Sequence, residues 1–322
     1  MSIEVIKPGL LTLLADLGRP GYAHLGIGRA GAFDPPALAI ANALCGNPRT
    51  ACALEITLLG PTLHFSTSAR IAVTGAPLAM QIDGETVPAW AALDLPAGAT
   101  LTLGAMPQGC RAYLAISGGI KVDPVLGSRG SDINSGIGPF GGRALRAGDM
   151  LPFAASGHTR RACAHPDWWL DPRPWFNTDV ETPLRLLTGE QQDMLTEASL
   201  QDLFNDTFHV QPDSNRTGVR LRGPELALRA AIEMVSEGCV PGLLQLPPAG
   251  EPIAFGPECP VSGGYPQLGQ IAAVDLPRLA QLRPGDVLRF APCTLEAAWQ
   301  ALKKREHALR ELETRIAARL PA

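Results

Sequence analysis

Leu145-Arg146-Ala147-Gly148-Asp149-Met150-Leu151-Pro152-Phe153 and Leu282-Arg283-Pro284-Gly285-Asp286-Val287-Leu288-Arg289-Phe290 share the pattern L-R-x-G-D-x-L-x-F, with six of nine positions fixed. A G-D turn that feeds a short strand, with Leu and Phe two residues apart on one face, is the chemistry of a closing β-strand. Upstream of each copy, G-P-x-L recurs, at Gly60–Leu63 and at Gly223–Leu226. Two patterns in the same order, each occurring twice, predict two related β-rich domains in tandem, each ended by this strand. The spacing within the pairs differs, so one copy carries insertions in its loops.

Composition agrees with such a fold. The 322 residues are 46% hydrophobic and 18% charged, which is the balance of a folded globular chain. The 34 Gly and 30 Pro, spread along the sequence, predict many turns and many short strands. A net charge of −4 with no basic patch argues against nucleic acid as a partner. Seven cysteines without C-x-x-C pairs predict free thiols in a reducing cytoplasm, not a zinc site or a disulfide framework. No apolar run approaches a membrane span.

Working outward from the repeat, the first domain covers 1–153, a Pro-, His- and Trp-rich linker 154–182, the second domain 183–292, and an amphipathic helix 293–322. Strands are predicted at 3–6, 54–58, 70–74, 100–103 and 112–116, with a D-G hairpin at Asp83-Gly84. One helix interrupts them: Asp34 as N-cap, Pro35 at the first position, and Gly46 as the stop. The second domain has a helix near 191–204 and strands near 184–187, 218–221, 253–255 and 271–274. In the tail, Leu295, Trp299, Leu302, Leu309, Leu312 and Ile316 form one apolar face, expected to pack on the protein's own barrel. Trp168, Trp169 and Trp175 are expected to pack the two domains together.

Candidate chemistry lies in the loops. Asp16 and Arg19 flank Gly18 and would either pair with each other or offer the guanidinium to a carboxylate or phosphate. Asn42 sits on the first helix. Glu55, among apolar neighbours in a strand, is expected to face outward. The glycines of 117–143 would present amides to an anion beside Arg129 or Arg143. Arg216, at a turn, is the best anion candidate of the second domain. The Gly- and Pro-rich stretch 236–290 is that of a rigid small-molecule pocket. No P-loop signature, no G-x-S-x-G elbow and no metal-ligand spacing of histidines occurs. None of the four lysines lies in the A-M-K-M context that accepts biotin, so no covalently bound biotin is expected on this chain.

The motifs D-L-G-R-x-G-Y (Asp16–Tyr22), G-A-x-D (Gly31–Asp34), A-N-x-L-x-G-N (Ala41–Asn47), L-E-I-T-x-x-G-P-x-L (Leu54–Leu63), L-G-S-R (Leu126–Arg129), S-E-G-x-x-x-G (Ser236–Gly242), Q-x-P-x-x-G-x-P (Gln245–Pro252), G-G-Y-P (Gly263–Pro266) and A-Q-L-x-P-G-D (Ala280–Asp286) span nearly the whole chain. With them the sequence resembles the KipA, or allophanate-hydrolase subunit 2-like, family, which includes the C subunit of the prokaryotic 5-oxoprolinase and urea-amidolyase-related, biotin-dependent carboxyltransferase-like proteins. The resemblance implies a mainly β fold with a few helices: two tandem cyclophilin-like β-barrel domains and a C-terminal helix. It implies a hetero-oligomer with one KipI-like and one LamB/YcsF-like partner, which uses ATP as co-substrate to open 5-oxoproline or a similar cyclic amide to glutamate through a phosphorylated intermediate. The site residues nominated are Asp16, Arg19, Glu258 and Tyr265 as catalytic, and Asn42, Arg216, Gln245, Ser262, Gly263 and Gly264 as substrate-binding. Two alternatives stand beside this: a carboxyltransferase subunit for urea or a related amide with a separate biotinylated partner, and a non-enzymatic regulator that binds a KipI-like partner. The pattern departs from the family's usual one at Phe33, at Gly130-Ser131 and at Val261-Ser262.

Overall fold

The structure, a computed structural model, describes residues 1–154, 166–179 and 181–320. The fold is mainly β with a few helices and comprises two β-barrel units of cyclophilin-like kind plus a C-terminal helix. The first unit comprises Met1–Arg19, Asp34–Asn177 and Ala308–Ala322; the second comprises Pro20–Phe33 and Thr178–His307. The sequence reading cuts the chain once, in the linker. The observed division differs because Pro20–Phe33 groups with the second unit, where Phe33 joins the core and the Gly31 carbonyl accepts a hydrogen bond from Arg216.

In the first unit, Met150–Pro152, Ser2–Lys7, Thr62–Phe65, Thr100–Leu103, Met80–Ile82 and Glu85–Thr86 lie side by side in one sheet. Leu11–Ala15, Ala53–Thr57, Arg111–Ile116, Ala69–Gly75 and Leu93–Leu95 form another. Alternation places Ile3, Val5, Leu63, Phe65 and Leu101 from one, and Leu54, Ile56, Ile71, Val73 and Leu114 from the other, in a shared core. The helix Pro35–Leu44 packs on Ala69–Gly75 and Arg111–Ile116. It starts where the sequence says it should: the Asp34 carboxylate accepts the Ala37 N–H at 3.1 Å. It stops at Gly46, whose φ of +70° suits glycine. Burial of Leu38, Ile40 and Leu44 holds it down, each side chain contributing about 1.5–3 kcal/mol.

The second unit has an eight-stranded sheet in the order Val287–Leu288, Phe208–Val210, Gly218–Arg222, Ile253–Phe255, Leu243–Gln245, Gln267–Ile271, Leu184–Thr188, Phe290–Pro292. Its core is built from Leu186, Leu203, Phe208, Leu221, Leu244, Leu268, Leu279 and Phe290. The strand expected at 271–274 ends at Ile271; a 3-10 turn over Ala273–Asp275 and the helix Leu276–Gln281 follow. Pro277 favours the first turn of a helix, and Asp275 turns inward to take the Arg185 guanidinium at 2.7 Å.

The repeated nonapeptide is the same object in both units. Val5 N–H donates to the Asp149 carbonyl at 2.9 Å and Gly148 N–H returns to the Val5 carbonyl at 2.8 Å. In the second unit, Val210 N–H donates to the Asp286 carbonyl at 2.9 Å and Gly285 N–H returns to the Val210 carbonyl at 2.9 Å. Both aspartates also accept the N–H of the arginine three residues earlier, Arg146 or Arg283, at 2.8 Å. Gly148 and Gly285 have φ of +85° and +90°, a region that penalises a side chain. The terminal phenylalanines pack on a second ring each, Phe153 on Phe65 and Phe290 on Phe208.

The tail helix spans Leu295–Arg319. Leu309 and Ile316 are buried and Leu302 packs on the Ala272, Val274 and Ala298 cluster, but Leu295 and Trp299 at the start of the apolar stripe are exposed. Arg49 and Glu313 pair within the first unit, and the Arg319 guanidinium lies 5.6 Å from the Trp168 ring centre. Trp169, expected to pack, is 68% exposed. No helix among the described residues is long and apolar enough to cross a membrane.

Candidate functional site

Asp16 ends the strand Leu11–Ala15 and organises the serine-glycine loop that follows Gly127. Its Oδ1 accepts from Ser128 Oγ at 2.6 Å and from Gly18 N–H at 2.8 Å; Oδ2 accepts the Arg129 N–H at 2.6 Å. Ser128 Oγ in turn accepts the Gly130 N–H at 2.9 Å. Asp16 and Arg19 do not make the pair the sequence suggested as one possibility; both turn to this loop. Arg19 Nη2 donates to the carbonyls of Gly130 and Ile137, and Nη1 lies 3.8 Å from Asp132 Oδ2.

Part of the backbone of 127–143 is hydrogen-bonded by the loop itself, the Gly130 and Gly142 amides among it. Ile137 N–H meets the Asp132 carbonyl and Gly142 N–H meets the Gly138 carbonyl. Arg143 is held by both oxygens of Asp149, at 2.6 and 2.7 Å. Arg143, expected beside a row of glycine amides, is therefore engaged by Asp149.

Asn42 is fully buried and serves the turn after its helix. Its Nδ2 donates to the Ala51 carbonyl at 2.9 Å and its Oδ1 accepts from Asn47 Nδ2 at 3.0 Å. Asn47 Oδ1 then accepts the Gly118 N–H at 2.8 Å.

Glu55 does not face outward. It is buried beside its cross-strand neighbour Tyr113, whose hydroxyl donates to Glu55 Oε2 at 2.7 Å. The same hydroxyl accepts the Asp34 N–H at 2.8 Å, and Arg111 Nε lies 3.8 Å from Glu55 Oε1. Burial pushes the Tyr113 phenol well above its ordinary range, and the Glu55 charge adds to this, so Tyr113 stays a proton donor. The apolar run around Glu55 concealed this role, since nothing in it marks a tyrosine some sixty residues away as partner.

In the second unit, Arg216 and Glu258 form a buried pair. Arg216 Nε donates to Glu258 Oε1 at 2.5 Å and Nη2 donates to the Gly31 carbonyl at 2.6 Å. Glu258 N–H also meets the Arg216 carbonyl at 3.1 Å. These contacts fasten three loops, at 31, 216 and 258, to one another. Gln245 is buried on strand Leu243–Gln245, and its Nε2 donates to Cys239 Sγ at 3.7 Å. A Cβ at Gly263 would lie 2.7 Å from that Nε2, so any larger residue there would displace the Gln245 amide. Gly263 belongs to a ribbon, Ser262–Gly263 against Glu237–Gly238, and Tyr265 beyond it is 46% exposed. Burial pushes the nearby Cys259 thiol up to about 12.

The nominated residues thus fall into two kinds. Asp16, Arg19, Asn42, Arg216, Glu258 and Gln245 are buried and bonded to their own unit. Ser262 and Tyr265 are exposed and Gly263 and Gly264 half-buried. Sequence reasoning missed Ser128, Asp132 and Tyr113 as partners. The Ser-Gly run at 127–131 was visible, but not which acid and base it would meet.

With the geometry in hand, comparison with known proteins defines the class. The carboxyltransferase domain, subdomain A and B, matches residues 25–292, and the chain belongs to this family. It is 36% identical to the C subunit of 5-oxoprolinase from Escherichia coli over 98% of both chains. It is 31% identical to the C subunit of 5-oxoprolinase from Haemophilus influenzae, covering 94% of this chain and 95% of that one. Urea amidolyase of Saccharomyces cerevisiae is 29% identical over 97% of this chain, which spans only 18% of that protein. The solved structure of Kluyveromyces lactis urea amidolyase superposes with a TM-score of 0.87 at 29% identity, covering 97% of this chain and 20% of that one.

Proposed function

We propose that this chain is one subunit of a multi-subunit, ATP-consuming hydrolase that opens 5-oxoproline or a similar cyclic amide to glutamate through a phosphorylated intermediate. The observation that carries this reading is the end-to-end likeness to the C subunit of 5-oxoprolinase, 98% of each chain at 36% identity. The urea amidolyases, by contrast, contain the region as under a fifth of a larger protein. The partners in this reading are one KipI-like and one LamB/YcsF-like polypeptide. ATP as co-substrate puts the complex in the cytoplasm.

The chemistry sets the division of labour. A lactam carbonyl is a poor electrophile; phosphorylating its oxygen creates a leaving group, and water then attacks the carbon. The Gly130, Asp132, Ile137 and Gly142 amides bond within the loop and those of Ser128, Arg129 and Ser131 bond to Val125, Asp16 and Leu14, and phosphoryl handling is assigned outside it. Asp16, Asn42, Arg216, Glu258 and Gln245 hold the loops in place. Ser262, Gly263, Gly264 and Tyr265 present hydroxyls and backbone to the substrate, and the Tyr265 phenol is a hydrogen-bond donor within reach of solvent.

The test is co-expression with the two partner polypeptides and measurement of lactam-dependent ATP turnover. The complex is expected to hydrolyse ATP when 5-oxoproline is added, and Tyr265→Phe to lower that turnover about tenfold. ATP turnover indifferent to any cyclic amide refutes the reading. The family match and the urea amidolyase superposition favour a second reading, a carboxyltransferase subunit for urea or a related amide. That reading requires a biotinylated partner, which a streptavidin blot of co-purified proteins detects.

A further inference from the structure

Two cysteines flank the ribbon of Glu237–Gly238 and Ser262–Gly263, and neither belongs to the substrate-facing set. Cys239 and Cys259 are free thiols, 9% and 7% exposed, and share one buried apolar cluster with Leu243 and Phe255 inside the second unit. The ribbon fixes their placement. Glu237 pairs with Gly263 and Gly238 with Ser262, and the Cys239 N–H donates to the Val261 carbonyl at 3.0 Å, which extends the ladder by one rung. Cys259 stands two residues before Val261, a diagonal position across the two strands. Burial, and then the charge on Cys239, pushes the Cys259 thiol up to about 12, so the two sulfurs are near enough to sense each other.

The Cys239 sulfur also supports the ribbon from within. A Cβ on Gly263 would lie 3.1 Å from it, and Gln245 Nε2 donates to it at 3.7 Å. Diagonal neighbours across a ladder sit roughly 7–8 Å apart, whereas a disulfide holds its Cβ atoms roughly 3.5–4.5 Å apart. Joining the two sulfurs therefore draws the chain at Pro260 toward Cys239 and takes the Cys239 sulfur off Gly263 and Gln245. We propose that Cys239 and Cys259 are a reversible redox pair whose disulfide displaces the ribbon that carries Ser262, Gly263, Gly264 and Tyr265. The bond is independent of the function proposed above; its effect on turnover rests on the cyclic-amide reading.

The oxidant is a low-molecular-weight disulfide such as oxidised glutathione. Cys239 lies between the exposed residues Gly238 and Val240 and is the thiol that meets it first. The Cys239 thiol loses its proton and attacks one glutathione sulfur; the glutathione S–S bond breaks, and one glutathione leaves as the thiol. The Cys259 thiol then loses its proton and attacks the Cys239 sulfur; the mixed S–S bond breaks, and the second glutathione leaves as the thiol. Two protein thiols are oxidised and one glutathione disulfide is reduced, with no further reactant. Burial raises both cysteines, so the exchange is slow near neutrality and follows sustained oxidation, not a catalytic cycle.

The experiment incubates the full native chain with oxidised glutathione at about pH 8, alkylates the remaining thiols and maps the non-reduced peptides. Cleavage after Glu251 and Glu258 puts the two cysteines on different peptides. A Cys239–Cys259 crosslink that dithiothreitol reverses is expected, with faster amide hydrogen exchange over 261–265 in the oxidised chain. Cys259→Ser should stop at glutathione on Cys239, and Cys239→Ser should leave Cys259 a thiol. No crosslink, a crosslink of either cysteine to another partner, or unchanged exchange over 261–265 overturns the pair. In the complex, oxidation should lower lactam-dependent ATP turnover at least about tenfold, since misplacing a positioned group by about 1 Å costs up to about a hundredfold. Dithiothreitol should restore it, and Cys239→Ser should make turnover indifferent to the oxidant. A crosslinked complex that turns over at the reduced rate refutes the switch and leaves the proposed function standing. A mapped crosslink with altered exchange, in a chain whose reduced complex shows no lactam-dependent turnover, upholds the redox pair and refutes the proposed function.

Discussion

Replacing Arg216 with Met tests whether the second unit's loops depend on a buried charge pair. Arg216 and Glu258 side chains are 5% and 1% exposed and 2.5 Å apart. Methionine keeps much of the apolar stem but removes the guanidinium, leaving the Glu258 carboxylate without its cationic partner and the Gly31 carbonyl without its 2.6 Å donor. Removing one member of a buried pair costs about 3–5 kcal/mol, more than the pair contributes when compared with a well-packed apolar substitute. At about 2–4 °C per kcal/mol, the second unit's unfolding midpoint should fall by roughly 6–20 °C. The assays are thermal unfolding, which reads the shift in midpoint, and urea unfolding at constant slope, which reads the free energy, both followed by circular dichroism. The double variant Arg216→Met/Glu258→Leu removes both charges and should recover at least about 2 kcal/mol of the single variant's loss, a coupling expected only of groups in contact. A loss below about 1 kcal/mol in Arg216→Met, or a double variant that costs the sum of the singles, refutes the reasoning.

Tyr113→Phe removes the hydroxyl shared by Glu55 and the Asp34 amide and should cost the first unit about 1–3 kcal/mol in the same urea assay, with the secondary structure retained. The Arg143 side chain holds the Asp149 carboxyl below the usual carboxylate range, so this carboxylate contributes stability above the unfolded value of about 3.9 that is lost as pH falls through the lower folded value. Asp149→Asn should accordingly flatten the acid limb of a melting-temperature profile below about pH 4; an unchanged limb counts against it. Burial raises the Cys45, Cys52 and Cys259 thiols, so at pH 7 these three should resist a thiol reagent until the chain unfolds, while half-exposed Cys293 reacts, as mass spectrometry of labelled peptides would read.

The β architecture was legible because it is written in local code. The L-R-x-G-D-x-L-x-F repeat encodes a turn, a strand and two inward side chains within nine residues, and both copies fold alike. Asp34, Pro35 and Gly46 encode a helix's two ends in the same way. The segment 271–274 misled because Ile, Ala and Val suit a strand, and only the Asp-Leu-Pro that follows announces a helix. The site was less legible, since its chemistry lies in pairs distant along the chain. Arg216 and Glu258 are 42 residues apart and Asp16 and Ser128 are 112 apart. A nominated residue's type gave no sign that its charge would be spent on its own loop. Glu55 shows the converse: the cost of burying a carboxylate is real, and a tyrosine far along the sequence meets it.

The crossing of Pro20–Phe33 and the division of the last helix at His307 have a consequence for anyone who would take the protein apart. A gene truncated after the Trp-rich stretch would encode neither half whole. Its product would carry fourteen residues whose anchors, Arg216 among them, had been deleted, and would lack the Glu313 that holds Arg49. The two halves share a repeated closing strand, yet each is finished by sequence drawn from beyond its own stretch of chain.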